Sequence, residues 1–177
     1  MIVDPNRIIK KRILTSPLLP MDLEEQVQPN GIDVRIRQVW ELPVNMHRPF
    51  KMWANGKKYV PQHGPCEGTL MNDNPAFVLK RGYPYTIDCY EMVEVPVGLV
   101  AMVYGRSTLH RNGVFCRSAV YDAGFHDHVG MMMFPFVDYW VEQQTRVAQI
   151  IFFEAEGSGK YNGQYGLKKG AKIDVKM

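Results

Sequence analysis

The segment Gly105-Arg106-Ser107-Thr108-Leu109 and the turn Asp122-Ala123-Gly124-Phe125, which starts 13 residues after Leu109, hold the residue types needed for polyphosphate chemistry. Arg106 offers a charged fork, Ser107 a hydroxyl, and the backbone behind Gly105 a set of N–H groups. Together these can hold phosphate oxygens. Asp122, returned to this neighbourhood by the next strand, is a candidate base for an attacking water. A phosphate holder and a base together point to hydrolysis of a nucleotide.

These residues must be positioned by strands. The phosphate-holding segment closes an apolar run from Val97 to Tyr104. Further short runs rich in Val, Ile, Met, Phe and Tyr cover Ile32 to Val39, Ala76 to Leu79, Tyr85 to Glu94, Val114 to Tyr121, His128 to Val137 and Arg146 to Glu154. Gly, Pro, Asn and Asp punctuate them, a spacing that predicts an all-β antiparallel barrel or sandwich. Two helices are expected, one from Asp4 to Leu14 and a single turn from Ser107 to Arg111. The turn-rich section 43–75 reads as an excursion from a β domain spanning 1–154, with a hairpin around Lys51 to Val60. Residues 155–177, rich in Gly and Lys, read as a mobile C-terminal arm.

Bulk properties narrow the class. The chain has 177 residues, 46% of them hydrophobic, enough for one sizeable core. A net charge of +3 suits an anionic substrate without calling for nucleic acid. The basic groups Lys10-Lys11-Arg12 and Lys168-Lys169 read as solvated ends. No run is long enough to span a membrane, and no charged-then-apolar leader opens the sequence. The three widely spaced cysteines, Cys66, Cys89 and Cys116, make neither a disulfide framework nor a zinc knuckle, which fits a reducing cytoplasm. The pairs His63/Cys66 and His126/His128 lack two further ligands at telling spacing, so local turn polarity is the better reading.

Five pieces in order resemble the dUTPase and dCTP deaminase superfamily. Gln28-Pro29-Asn30-Gly31-Ile32-Asp33-Val34-Arg35 is similar to its first motif, in the form typical of the deaminase branch. Gly105 to Arg111 is similar to the second, and Val120 to Phe125 with Val129-Gly130 to the third. Arg146-Val147-Ala148-Gln149-Ile150-Ile151-Phe152 is similar to the fourth. Gly159-Lys160-Tyr161-Asn162-Gly163-Gln164-Tyr165-Gly166 is similar to the deaminase-type last motif.

The resemblance implies a distorted β-barrel or jelly roll that assembles as a homotrimer with sites between subunits, and Mg²⁺ held mainly by the substrate's phosphates. Two chemistries occur in the superfamily. The deaminases use a glutamate ten residues beyond the third-motif aspartate; here that position is Met132, and a thioether cannot carry a proton. Asp127, the nearest carboxylate on that segment, has odd parity to position 132 and faces away on an ideal strand. The dUTPases need only the aspartate, kept as Asp122, which activates water for attack on the α-phosphorus.

The resemblance therefore implies a dUTP diphosphatase acting on a pyrimidine deoxynucleoside triphosphate. Asp122 would be catalytic, with Arg106, Ser107, Thr108 and Gln149 at the phosphates. Phe125 would lie under the deoxyribose and Ser118 and Ala119 in the base-reading turn. Lys160, Tyr161 and Gln164 would close over the triphosphate, and Tyr165 would stack on the base. Arg111 corresponds to a deaminase arginine, and Asp33 would anchor the site or reach Mg²⁺ through water. The base-reading turn and the tail depart from the dUTPase pattern, so a dCTP deaminase, a mixed dCTP/dUTP diphosphatase and a nucleotide-binding non-enzyme remain alternatives.

Overall fold

Alternating side-chain burial along long strands sets the architecture, with two short helices and one helical turn attached. The computed structural model describes residues 1–42, 51–52, 54, 58–59, 64–156, 159 and 161. In chain order, α1 (Pro5–Lys10) leads to β1 (Leu14–Thr15), α2 (Leu23–Gln26), β2 (Val27–Gln28) and the long β3 (Gly31–Glu41). Five short strands follow: β4 (Lys51–Met52), β5 (Lys58–Tyr59), β6 (Gly64–Pro65), β7 (Thr69–Met71) and β8 (Asn74–Leu79). Next come β9 (Tyr85–Glu94), β10 (Leu99–Gly105), α3 (Ser107–Arg111), β11 (Val114–Arg117) and β12 (Val120–Tyr121). The last three are β13 (His126–Pro135), β14 (Tyr139–Glu142) and β15 (Arg146–Glu154).

A ten-stranded antiparallel sheet runs in the order β11-β13-β9-β3-β15-β10-β12, with β1, β2 and β6 joined at its flanks. Its two ends, β11 and β12, are linked by only Ser118 and Ala119, so the sheet curls until its ends meet. The all-β barrel expected from the strand spacing is therefore present. Tyr121 stitches the seam: its hydroxyl donates to Gly130 O at 2.6 Å and accepts from Gly130 N–H at 2.9 Å. Ser118 Oγ donates to the same carbonyl at 3.0 Å. Tyr85, Ile87 and Cys89 on β9 and Val129, Met131 and Met133 on β13 point inward at every second residue, filling the core.

Where the structure departs from the sequence expectations, long-range pairing is the cause. The helix expected to reach Leu14 stops at Lys10. Asp4 caps it by accepting the Asn6 N–H at 2.9 Å, and Arg12 turns the chain with φ +55°. Leu14 then pairs with Val93 as a strand. The run from Val114 to Tyr121 is two strands, because Ser118 and Ala119 carry the chain from one end of the sheet to the other. Within the excursion, β4 pairs with β5 as the expected hairpin, and β7 and β8 join β14 in a three-stranded sheet.

One charged network lies inside the core. Glu91, with no exposed surface, accepts from Arg35 Nε at 2.8 Å, from the Arg35 N–H at 2.7 Å and from Gln26 Nε2 at 2.8 Å. The remaining Arg35 nitrogens donate to Pro20 O, Leu19 O and Ser16 Oγ. Gln26 Nε2 also donates to Asp33 O at 2.8 Å, so the network grips β3 beside the site residues. A buried pair of charges is tolerated because each group has its partners.

Candidate active site

At one end of β10 a cluster forms around Asp33. Glycines make the close packing possible: a Cβ on Gly31 would lie 2.7 Å from Ile150 O, and one on Gly105 would lie 2.5 Å from Cys116 Cβ. Register places Asp33 opposite Gln149, which in turn faces Tyr104, and Gly105 opposite Ala148. Asp33 is 3% exposed, with Oδ2 3.4 Å from Arg106 Nε and 3.6 Å from Arg146 Nη1, while Gln149 Nε2 donates to Oδ1 at 3.4 Å. Arg106 Nη1 donates to Arg146 O at 3.2 Å. Arg146 itself extends to Glu25, with Nη2 2.6 Å from Oε2. Burial pushes the Asp33 carboxyl up from its ordinary value, while Arg106, Arg146 and Gln149 pull it back.

This arrangement fixes one edge of the Arg106 guanidinium against a carboxylate at the mouth of α3. Ser107 and Thr108 begin that helix and are exposed, and Arg111 ends it, also exposed. The structure thus brings together Asp33, Arg106 and Gln149, with Ser107 following Arg106 at the start of α3. Arg146 is a site residue that sequence reasoning left without a role. Its place opening the fourth motif was visible, but its contact with Asp33 depends on the β15–β3 register.

Asp33 suits the anchoring role better than that of a ligand to Mg²⁺. Both of its oxygens face donors, two of them cationic, and it is buried. Among the described residues no group of three or more His, Cys, Asp or Glu side chains could hold a metal ion. The donor set therefore does not form a protein-built metal site.

At the other end of β10 lies the turn that carries Asp122. Phe125 N–H donates to Asp122 O at 3.0 Å, and Gly124 has φ +89°, a conformation that glycine adopts without strain. The turn is tied to the strand connection by Gly124 N–H to Val95 O at 2.7 Å and Val95 N–H to Phe125 O at 3.0 Å. Asp122 is exposed and Phe125 half-buried. Phe125 packs edge-on against Tyr121 at 4.9 Å and against Tyr161 at 5.6 Å between ring centres. Lys160, Gln164 and Tyr165 lie outside the described residues.

The two groups are far apart within one chain. Tyr121 stands opposite Ala101, whereas Arg106 follows Gly105 at the far end of the strand. From the level of Asp122 to Arg106 is six strand residues, about 20 Å at roughly 3.3 Å each. Between them, a cavity of about 540 Å³ opens at the barrel seam, lined by Tyr104, Gly105, His110, Arg117, Ser118 and Ala119 among others. Ser118 and Ala119, expected in the base-reading turn, thus border a cavity. Its rim carries exposed Tyr104, Phe115, Val120 and Phe136, an apolar surface on the outside of the barrel.

Met132 is half-buried, opposite Thr86 on one side and Arg117 on the other. Asp127 keeps the odd parity of the buried Val129, Met131 and Met133, opposite to that of Met132, because the register shift between His128 and Gly130 puts its extra residues on β9. Distance separates it as well: Asp127 is five strand positions from Met132, about 16 Å. The Asp127 carboxylate also accepts the His128 N–H at 2.7 Å. Asp88, opposite Gly130, is nearer by register but is engaged by Trp40 Nε1 at 2.8 Å and Arg37 Nη2 at 3.5 Å.

Known proteins resemble this chain over most of its length. A protein named probable deoxyuridine 5'-triphosphate nucleotidohydrolase from Methanothermobacter thermautotrophicus is 33% identical over 154 residues, covering 86% of this chain and 95% of that protein. One of the same name from Archaeoglobus fulgidus is 30% identical over 87% of this chain and 86% of its own length. In Methanocaldococcus jannaschii a deoxyuridine 5'-triphosphate nucleotidohydrolase is 28% identical over 80% of this chain and 88% of its own. The crystal structure of 2'-deoxycytidine 5'-triphosphate deaminase from Agrobacterium tumefaciens shares the fold, with a TM-score of 0.62 at 17% identity. That match covers 87% of this chain and 48% of that one. A model described as dCTP deaminase-like matches residues 5–155. The chain belongs to the dCTP deaminase-like family, within the superfamily that its five motifs resemble.

Proposed function

We propose that the protein is a dUTP diphosphatase that hydrolyses dUTP to dUMP and pyrophosphate. The observation that carries this reading is the pairing of an exposed Asp122 on its glycine turn with Met132 where a deaminase would need an acid. The relatives named as deoxyuridine triphosphate nucleotidohydrolases, up to 33% identical, support the same choice.

In this mechanism Asp122 takes a proton from water as the water oxygen bonds to the α-phosphorus. The bond from that phosphorus to the bridging oxygen breaks, and pyrophosphate leaves with the electron pair. Arg106, oriented by Asp33, and the Ser107 hydroxyl hold phosphate oxygens as charge shifts toward the leaving group. Thr108 and Gln149 border that cluster, and Phe125 forms the apolar floor beneath the sugar. Mg²⁺ enters as part of the substrate, carried by the triphosphate. About 20 Å separates Arg106 from Asp122 within a chain, so one site takes Arg106 from one subunit and Asp122 from another. The apolar rim of the seam suits that contact, and the closed assembly is a homotrimer.

The test is an assay of purified protein with Mg²⁺ against dUTP, dCTP, dTTP and UTP, scored for pyrophosphate and for ammonia. Pyrophosphate from dUTP without ammonia is expected. Ammonia from dCTP, or tight nucleotide binding with no turnover, would overturn the reading.

A further inference from the structure

Beside the seam, three strands line up a row of side chains on the outer face of the sheet. Arg117 on β11 stands opposite Met132 on β13, and Met132 stands opposite Thr86 on β9. The alternate residues Cys116, Met131 and Met133 are buried in the core, so this row faces outward. Directly opposed residues in an antiparallel pair share a face, with Cβ atoms about 5 Å apart. Arg117 is exposed and borders the cavity of about 540 Å³ together with Ser118 and Ala119. Among the described residues its guanidinium has no ion pair or hydrogen bond. Neighbouring side chains offer no comparable donor. The Ser118 hydroxyl already donates to Gly130 O at 3.0 Å, Ala119 carries only a methyl group, and the Met132 thioether has no proton to give.

From this register we infer that Arg117 is a specificity-determining residue: its guanidinium donates to the O4 carbonyl of uracil and rejects the N4 amine of cytosine. At C4 uracil presents an acceptor and cytosine a donor. A group with five N–H donors and no acceptor can satisfy the first and not the second. An amine held unpaired against a cation costs binding, so one side chain attracts one base and repels the other. This role rests on the dUTP diphosphatase reading, which places the pyrimidine at the Ser118–Ala119 turn beside Met132. It adds the group that selects the ring. Met132 withholds a proton carrier from C4 and so bears on chemistry, whereas Arg117 bears on which base is held.

Calorimetric titration of the full-length protein with the α,β-imido analogues of dUTP and dCTP, in the presence of Mg²⁺, tests this. The native protein is expected to bind the dUTP analogue more tightly. Arg117→Met is expected to raise the Kd for that analogue by about tenfold or more, without weakening the dCTP analogue. Retained dCTP-analogue binding also shows that the variant folds. Arg117→Lys, which keeps a charged donor, should hold part of the preference. Arg117→Glu replaces donors with acceptors and should turn the preference toward the dCTP analogue. Equal weakening of both analogues by Arg117→Met would put the guanidinium on the phosphates and overturn the inference. Greater weakening of the dCTP analogue would put it on the ring's N3 and overturn it too, as would an unchanged ratio. Pyrophosphate release from dUTP by the native protein is scored separately. Its absence alongside a collapsed binding ratio would remove the hydrolytic reading and leave the base selection standing.

Discussion

Arg106 and Asp122 stand at opposite ends of β10, one following Gly105 and the other following Tyr121 at the level of Ala101. The span of about 20 Å exceeds what the two side chains can bridge. Under the proposed mechanism, a single subunit would hold both halves of the chemistry without being able to apply them to one phosphoryl group. Hydrolysis should follow the oligomer: in size-exclusion fractions, dUTP turnover should coincide with the assembled species and be absent from any single-chain fraction. A monomer with full specific activity would break this relation.

The Arg35–Glu91 pair should be the most sensitive point of the core. Glu91 is fully buried and accepts three hydrogen bonds. Glu91→Ala leaves the Arg35 guanidinium without its charge partner and should cost about 3–5 kcal/mol of stability. Urea unfolding would show it; a loss below roughly 1 kcal/mol, the scale of an exposed pair, would mean that the charges are solvated.

Gly105→Ala should harm both structure and function. The added methyl would sit 2.5 Å from Cys116 Cβ and 3.0 Å from His110 Nε2, between packed elements of the seam. We expect a stability loss of about 1–3 kcal/mol from overpacking, together with weakened substrate binding as Arg106 shifts. Unchanged KM and thermal midpoint would show that β10 and β11 can part without cost.

His128 should make the protein sensitive to mild acid. Its Nδ1–H donates to Cys89 O at 2.8 Å; burial first, then Arg37, lowers its pKa from 6.5, with Asp88 and Asp127 opposing. Folding thus favours the neutral ring, and the unfolded chain binds the proton more readily. The resulting stability is present above pH 6.5 and is lost as pH falls from there through the lowered folded-state value. Thermal midpoints measured across this window should decline, and His128→Asn, which can still donate to Cys89 O, should flatten the decline. An equal acid-side fall in the variant would assign the effect elsewhere.

Local pattern made much of this fold readable. Tyr85–Glu94 and Arg146–Glu154 end where their apolar runs end, and Ser107–Arg111 is the helical turn that its spacing predicts. Features made by distant partners could not be read that way. Leu14 continues a helical pattern but is claimed by Val93, and Val114 to Tyr121 looks continuous although it crosses from one sheet end to the other. Of the candidate site, Arg106, Ser107 and Gln149 were legible as residue types, since they lie in recognisable segments. Arg146 holding Asp33, and Tyr121 closing the seam onto Gly130, depend on register across strands far apart in sequence.

In the proposed mechanism, water activated by Asp122 attacks the α-phosphorus. The most direct measurement is hydrolysis of dUTP in water enriched in heavy oxygen, with both products analysed by mass spectrometry and Asp122→Asn as the paired control. The heavy atom should enter dUMP and not pyrophosphate, and the variant should bind dUTP but incorporate almost none. Label in the pyrophosphate, or an Asp122→Asn protein that labels dUMP at the native rate, would contradict it.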